Sequence, residues 1–268
     1  MRTSSINKFK HPFHLVDPSP WPLAISFILT CTVFGFAAYL NRYIYGGWYL
    51  FISFLILNCY AGLWLRDINR EATFEGRHTS FVRKNIKLGF ILFLISETMI
   101  FFALFWAYFH SMLNPAIWIG IKWPPEGISA LDPTTWPLSN TLLLLSSGFA
   151  ITWSHQALMD GDILESRRGL IVTLLFAISF IFIQLYEYHN ASFSINDSIY
   201  GSIFYMITGL HGLHVIGGTF FIYINGIRLT QYHFTPKRHA SFSFATWYWH
   251  FVDVIWIFVY LIIYISGS

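Results

Sequence analysis

Seven apolar runs, each roughly 20 residues long, constrain this chain more than any other feature. They cover about Trp21–Leu40, Trp48–Leu65, Leu88–His110, Leu138–Leu158, Gly169–Tyr188, Tyr200–Ile227 and Phe242–Ile265. A helix rises roughly 1.5 Å per residue and the hydrocarbon core of a bilayer is about 30 Å thick, so a run of about 20 residues is one crossing. In hydrocarbon, a helix satisfies its backbone hydrogen bonds within a single run. The fold class read from this pattern is all-α: a polytopic membrane protein with seven transmembrane helices. Only 11% of the residues are charged, against about 25% in a soluble domain.

The runs divide the chain into a polar N-terminal segment (residues 1–20), a hairpin of two spans (21–65), a charged connector (66–87) and five further spans (88–268). The connector, RDINREATFEGRHTSFVRKNIK, is the most charged stretch. A loop over residues 111–137, rich in Pro and Trp, reads as interfacial, because Trp favours the headgroup layer. The segments before span one and between spans two and three, four and five, and six and seven hold 14 of the 16 Lys and Arg residues; only Arg42 and Lys122 lie opposite. By the positive-inside rule the N-terminus is inside and the C-terminus outside. Arg2, Lys8 and Lys10 are followed by no short apolar core with a cleavage site, so the first run is expected to remain a span.

Within the third run, LGFILFLISETMIFFALFWAYFH, Glu97 sits at mid-depth, where a charged side chain costs about 2.5–3.5 kcal/mol on insertion scales. Its helical neighbours Phe90, Phe93, Leu94, Ile100, Phe101 and Leu104 offer it no partner. Glu97 is therefore protonated, wet, or paired outside its own helix, and it is a candidate proton-linked carboxyl. Asp253, in WYWHFVDVIW, is the second deep acid. His250 lies three residues earlier on the same helical face and is read as a structural hydrogen-bond partner.

His211 and His214 in TGLHGLHVIGG, with His250, raise the possibility of a haem between spans six and seven. The glycines around them read equally as close helix packing with His as interhelical donor. There is no His-Glu-x-x-His or Cys-x-x-Cys motif, and Cys31 and Cys59 read as small hydrophobes. Arg66, Arg70 and Arg228 stand near span ends, where anionic headgroups bind. Nothing supports nucleic-acid binding. A proton-coupled transporter using Glu97 and Asp253 remains an alternative, weakened by the absence of internal repeats.

Several long stretches together resemble subunit III of the mitochondrial haem-copper cytochrome c oxidases: HPFHLVDPSPWPL, WLRDINREATFEGRHT, the Glu97 run through Ser111, WPPEGI, LLLLSSGFAITWSHQAL, YGSIFYMITGLHGLHVIGG and WYWHFVDVIW. The resemblance implies a V of helices, with the first two splayed from the other five, and phospholipids in the cleft. It implies lipid contacts at Arg66, Arg70, Glu71, His78 and Arg228. It further implies a non-catalytic core subunit of complex IV with no metal or cofactor of its own. Haem a, haem a3 and copper belong to partner subunits I and II, with accessory subunits around them. The expected location is the mitochondrial inner membrane, N-terminus in the matrix and C-terminus in the intermembrane space. The implied role is support of the stability and proton uptake of the complex that reduces oxygen to water with electrons from cytochrome c and pumps protons.

Overall fold

A computed structural model describes residues 11–267. Arg2, Lys8 and Lys10, three of the basic residues in the charge count, lie outside the described residues. Seven long helices follow one another: α1 (Trp21–Leu40), α2 (Gly46–Thr73), α3 (Ser80–Leu113), α4 (Trp136–Asp160), α5 (Ile163–Asn190), α6 (Ser198–Thr230) and α7 (Ala240–Val259). The last is continued by a wider turn over Tyr260–Ile265. Among the described residues no strand is formed.

The helix ends outrun the apolar runs. α2 continues eight residues past Leu65, and α3 begins eight before Leu88, so only residues 74–79 of the charged connector are non-helical. Charged and polar residues with no proline among them sustain a helix in water as readily as apolar ones do in lipid. Hydropathy therefore marks where the apolar surface stops, not where the helix stops. The new turn of α3 is started by Thr79, whose Oγ1 accepts from Val82 N at 3.3 Å, a side-chain cap for an otherwise orphaned donor.

The contacts divide the chain into two compact units, one ending at Ile86 and the other beginning at Lys87. In the first, α1 and α2 form a tight hairpin. A Cβ on Gly35 would stand 2.9 Å from Leu50 Cα, so only glycine lets the two backbones come this close. Trp21 Nε1 donates to Asp67 Oδ2 at 2.8 Å, tying the start of α1 to the far part of α2. Cys31 and Cys59 are exposed free thiols on these helices.

In the second unit α4 buries one continuous face. Six of the seven helices are long and apolar enough to cross a membrane by themselves; α4 is the exception. Its buried stripe reads Pro137, Asn140, Thr141, Leu144, Ser147, Gly148, Ile151, Ser154 and Leu158, the three-and-four spacing of one helical face. Small and polar residues on that stripe allow close approach and supply hydrogen bonds, which apolar side chains in lipid cannot. Trp249 Nε1 of α7 donates to Ser147 Oγ at 2.8 Å, and Trp256 Nε1 to Thr141 Oγ1 at 3.0 Å. Two turns along α7 thus meet two turns along α4 in the opposite sense, so the helices run antiparallel. Ser154 Oγ donates to the Ser166 carbonyl of α5 at 2.6 Å.

The chain turns tightly from α4 to α5, where Asp162 Oδ1 accepts from Glu165 N at 3.0 Å and caps the new helix. α3 meets the rest of this unit through long aromatic side chains: Phe90 stacks on Phe244 at 4.7 Å between centroids, and Phe101 lies edge-on to the His214 ring at 5.1 Å.

Candidate functional site

Glu97 finds its partner on α6. Its Oε2 lies 2.9 Å from His214 Nε2, with the two side chains 20% and 11% exposed. The other ring nitrogen of His214, Nδ1, lies 2.7 Å from the Leu210 carbonyl one turn back on α6. A carbonyl can only accept, so Nδ1 carries a hydrogen. A neutral imidazole then has a bare Nε2, and Glu97 must donate to it as a carboxylic acid. The alternative is an imidazolium facing a carboxylate. Either way one proton occupies the Glu97–His214 gap and the pair is neutral overall, which is how an acid is accommodated at this depth. Phe101 and Tyr248 wall the imidazole, at 5.1 and 6.3 Å between centroids.

His250 and Asp253 form a looser arrangement. Thr152 Oγ1 of α4 donates to the Gly148 carbonyl at 2.9 Å and stands 3.0 Å from His250 Nε2. The threonine's only proton is used, so Nε2 donates to it. His250 Nδ1 then faces Asp253 Oδ2 at 3.7 Å, beyond hydrogen-bond reach. The hydrogen bond of His250 is thus made across helices to α4 and not, as the spacing suggested, to its own-helix acid. Asp253 packs against the space that a Cβ on Gly148 would fill, and its Oδ1 is buried with no hydrogen-bond partner.

The three histidines of spans six and seven do not converge. His211 Nε2 donates to the Val252 carbonyl at 3.2 Å, and its ring lies 4.9 Å from that of Trp256. His214 is held by Glu97 and His250 by Thr152. Each is engaged in interhelical packing, the reading given by the glycine-rich sequence around His211 and His214.

One buried carboxyl escaped the sequence reading. Glu187, on the last turns of α5 and 3% exposed, accepts from Tyr264 Oη at 2.5 Å and from Gln184 Nε2 at 3.4 Å. Asn140 Nδ2 of α4 donates to Gln184 Oε1 at 3.3 Å. Beside it, Tyr188 Oη donates to Thr208 Oγ1 at 2.6 Å; the threonine proton is spent on the Phe204 carbonyl. An acid within the fifth apolar run, in QLYEYHN, was the available signal.

The residues expected to contact lipid fall into separate places. Arg66 pairs with Asp67 at 2.9 Å, and Arg70 is exposed one turn further along the same face of α2. Glu71 and His78 come together, and His14 of the N-terminal segment joins them, with Nε2 3.7 Å from Glu71 Oε2. Burial pushes the His78 imidazole below its ordinary pKa, helped by His14 and opposed by Glu71. Arg228 belongs to the second unit, its guanidinium 4.7 Å above the Phe234 ring.

Long apolar helices joined by an acid–imidazole pair, indole–hydroxyl bonds and glycine contacts define a multi-pass membrane protein whose polar chemistry lies between helices. The particular family follows from comparison with known proteins. Residues 11–268 match the model of the cytochrome c oxidase subunit III family, and the chain belongs to that family. It is 47% identical to the cytochrome c oxidase subunit 3 of Cyanidium caldarium over 97% of this chain and 96% of that one. It is 49% identical to the protein of the same name from Marchantia polymorpha (97% and 98% covered) and 47% identical to that from Arabidopsis thaliana (98% and 99%). The transporter and membrane-cytochrome alternatives are not favoured by these relationships.

Proposed function

We propose that this chain is a non-catalytic core subunit of complex IV, assembled with the haem- and copper-bearing subunits I and II in the mitochondrial inner membrane. The observation that carries this reading is the family match across nearly the whole chain. The 14-to-2 distribution of basic residues supports an N-terminus in the matrix and a C-terminus in the intermembrane space. Haem a, haem a3 and copper act in the partner subunits, where oxygen is reduced with electrons from cytochrome c.

In this reading the role of the chain is support. Glu97 is neutralised by His214 within the helix bundle and assists a neighbour's proton uptake by holding its helix in place, and Asp253 is a second buried carboxyl between helices. Arg66, Arg70 and Arg228, each just past the end of an apolar run, contact phospholipid headgroups; Glu71 and His78, which the family resemblance also places among the lipid contacts, belong to the first unit.

The test is purification of the complex through a tag on this chain. It should carry haem a and copper spectra and oxidase activity, while the chain separated from it in mild detergent should be colourless. A colourless, inactive assembly would overturn the reading. Mass spectrometry of lipids retained by the Arg66→Ala, Arg70→Ala and Arg228→Ala complexes tests the headgroup contacts; unchanged retention would remove them.

A further inference from the structure

Three side chains distant in sequence converge at the polar end of the first unit: His14 from the N-terminal segment, Glu71 from the last turn of α2, and His78 from the turn that follows. One donor atom from each lies within 4.8 Å of the other two. The imidazole centroids of His14 and His78 are 5.4 Å apart. The His14 side chain is only 10% exposed, and its Nε2 is buried with no hydrogen-bond partner. An unsatisfied buried polar atom costs about 1–3 kcal/mol. At 3.7 Å, Glu71 is too far to relieve it by a hydrogen bond.

The framework around the cluster is well fixed. Arg77 joins Asp17 at 2.5 Å and Glu75 at 2.7 Å. Thr79 Oγ1 donates to the Pro12 carbonyl at 2.5 Å, and Phe13 meets Phe81 edge-on at 5.4 Å. These contacts clamp the segment carrying His14 onto the turn carrying His78. They also compensate the Arg77 guanidinium with two carboxylates, which leaves Arg83 as the cation that acts on His78 against the attraction of Glu71.

We propose that His14, Glu71 and His78 form a binding site for a divalent transition-metal ion, with Zn²⁺ the best fit. Two imidazoles and one carboxylate, with a fourth position open, are a ligand set that zinc takes with bonds of about 2.0–2.2 Å. Nitrogen donors select against Mg²⁺ and Ca²⁺, which prefer oxygen alone. Drawing the three donors onto one ion requires only side-chain adjustments, since the backbone already brings them together. The ion would satisfy the orphaned His14 nitrogen and cross-link the N-terminal segment to α2. This inference does not rest on the family reading. It differs from the lipid reading in engaging Glu71 and His78 through an ion and leaving Arg66 and Arg70 to headgroup phosphate.

The test uses the intact complex, washed with chelator and then equilibrated with Zn²⁺. Crystals should show an anomalous peak at the zinc edge bonded to His14, Glu71 and His78. Bound zinc per complex, counted by elemental mass spectrometry, should fall by one in His14→Ala and His78→Ala complexes. Their dissociation constant should rise by more than about 100-fold, beyond the usual cost of losing an outer-shell partner. The proposal is overturned if the wild-type map shows no peak there at saturating zinc. Phosphate density between the same side chains, or equal zinc in wild-type and assembled His14→Ala complexes, would overturn it too. Should a variant fail to assemble, the wild-type map decides.

Discussion

Glu97 Oε2 and His214 Nε2 stand 2.9 Å apart, and because His214 Nδ1 is committed to the Leu210 carbonyl, a single proton lies between them. This pair joins α3 to α6 where the rest of the α3 interface is largely aromatic. An isolated acid at mid-membrane would be costly, and a neutral acid–imidazole pair removes most of that cost. Glu97→Gln can still donate to the bare His214 Nε2 and should leave the assembled complex within about 1 kcal/mol of wild type. Glu97→Ala leaves the imidazole unsatisfied and should cost about 1–3 kcal/mol. Thermal unfolding of the purified complexes in detergent reads the difference.

The indole–hydroxyl bonds between α4 and α7 predict a coupled effect. Ser147→Ala strands the buried Trp249 N–H and should destabilise by about 1–3 kcal/mol. With Trp249→Phe in place the donor is gone, and adding Ser147→Ala should cost measurably less. Additive losses in the double-mutant cycle would show that the 2.8 Å contact contributes nothing specific.

Gly148 is where α4 yields to Asp253. Gly148→Ala puts a methyl group into the volume held by the Asp253 carboxylate, an overpacking cost of about 1–3 kcal/mol. Asp253→Ala should relieve part of it, so the Gly148→Ala/Asp253→Ala complex should be more stable than the sum of the single changes allows. Equal or greater loss in the pair would contradict the close approach.

The turn carrying His78 should loosen in mild acid. Burial holds the folded imidazole below its ordinary pKa, which is about 6.5. Below that value the opened turn takes up a proton that the closed turn resists, so stability present at neutral pH and above is lost as pH falls. Amide exchange at residues 74–79, corrected for intrinsic rates, should accelerate between about pH 7 and 5 in wild type and become flat in His78→Gln. A flat wild-type profile would contradict this.

Much of the fold was legible because bilayer thickness leaves few choices: a run of about 20 apolar residues has to be a helix. The boundaries were not legible in the connector, because Arg66–Thr73 and Ser80–Lys87 lose hydropathy without losing helix propensity. α4 shows the converse. Its Asn140, Thr141, Ser147 and Ser154 lower its hydropathy and are tolerated because neighbouring helices, not lipid, cover them. At the candidate site, depth and the apolar helical neighbours of Glu97 left it protonated, wet or paired outside its own helix. That the partner is His214, 117 residues away, depends on how α3 and α6 pack, which periodicity does not encode. His14 left no trace, since a histidine in an irregular polar segment has no spacing relative to Glu71 or His78. Glu187 was visible as an acid in an apolar run, but its position near the end of that run made it resemble an ordinary interfacial charge.

The central claim is that Glu97 is a neutralised interhelical contact in a supporting subunit, not a member of the catalytic machinery. Oxidase turnover of the intact Glu97→Gln complex measures this most directly. The predicted result is an unchanged haem spectrum with turnover within about twofold of wild type, because no essential proton transfer passes through this carboxyl. An unchanged spectrum with turnover reduced by about 100-fold or more, the loss expected for an essential acid–base group, would contradict it.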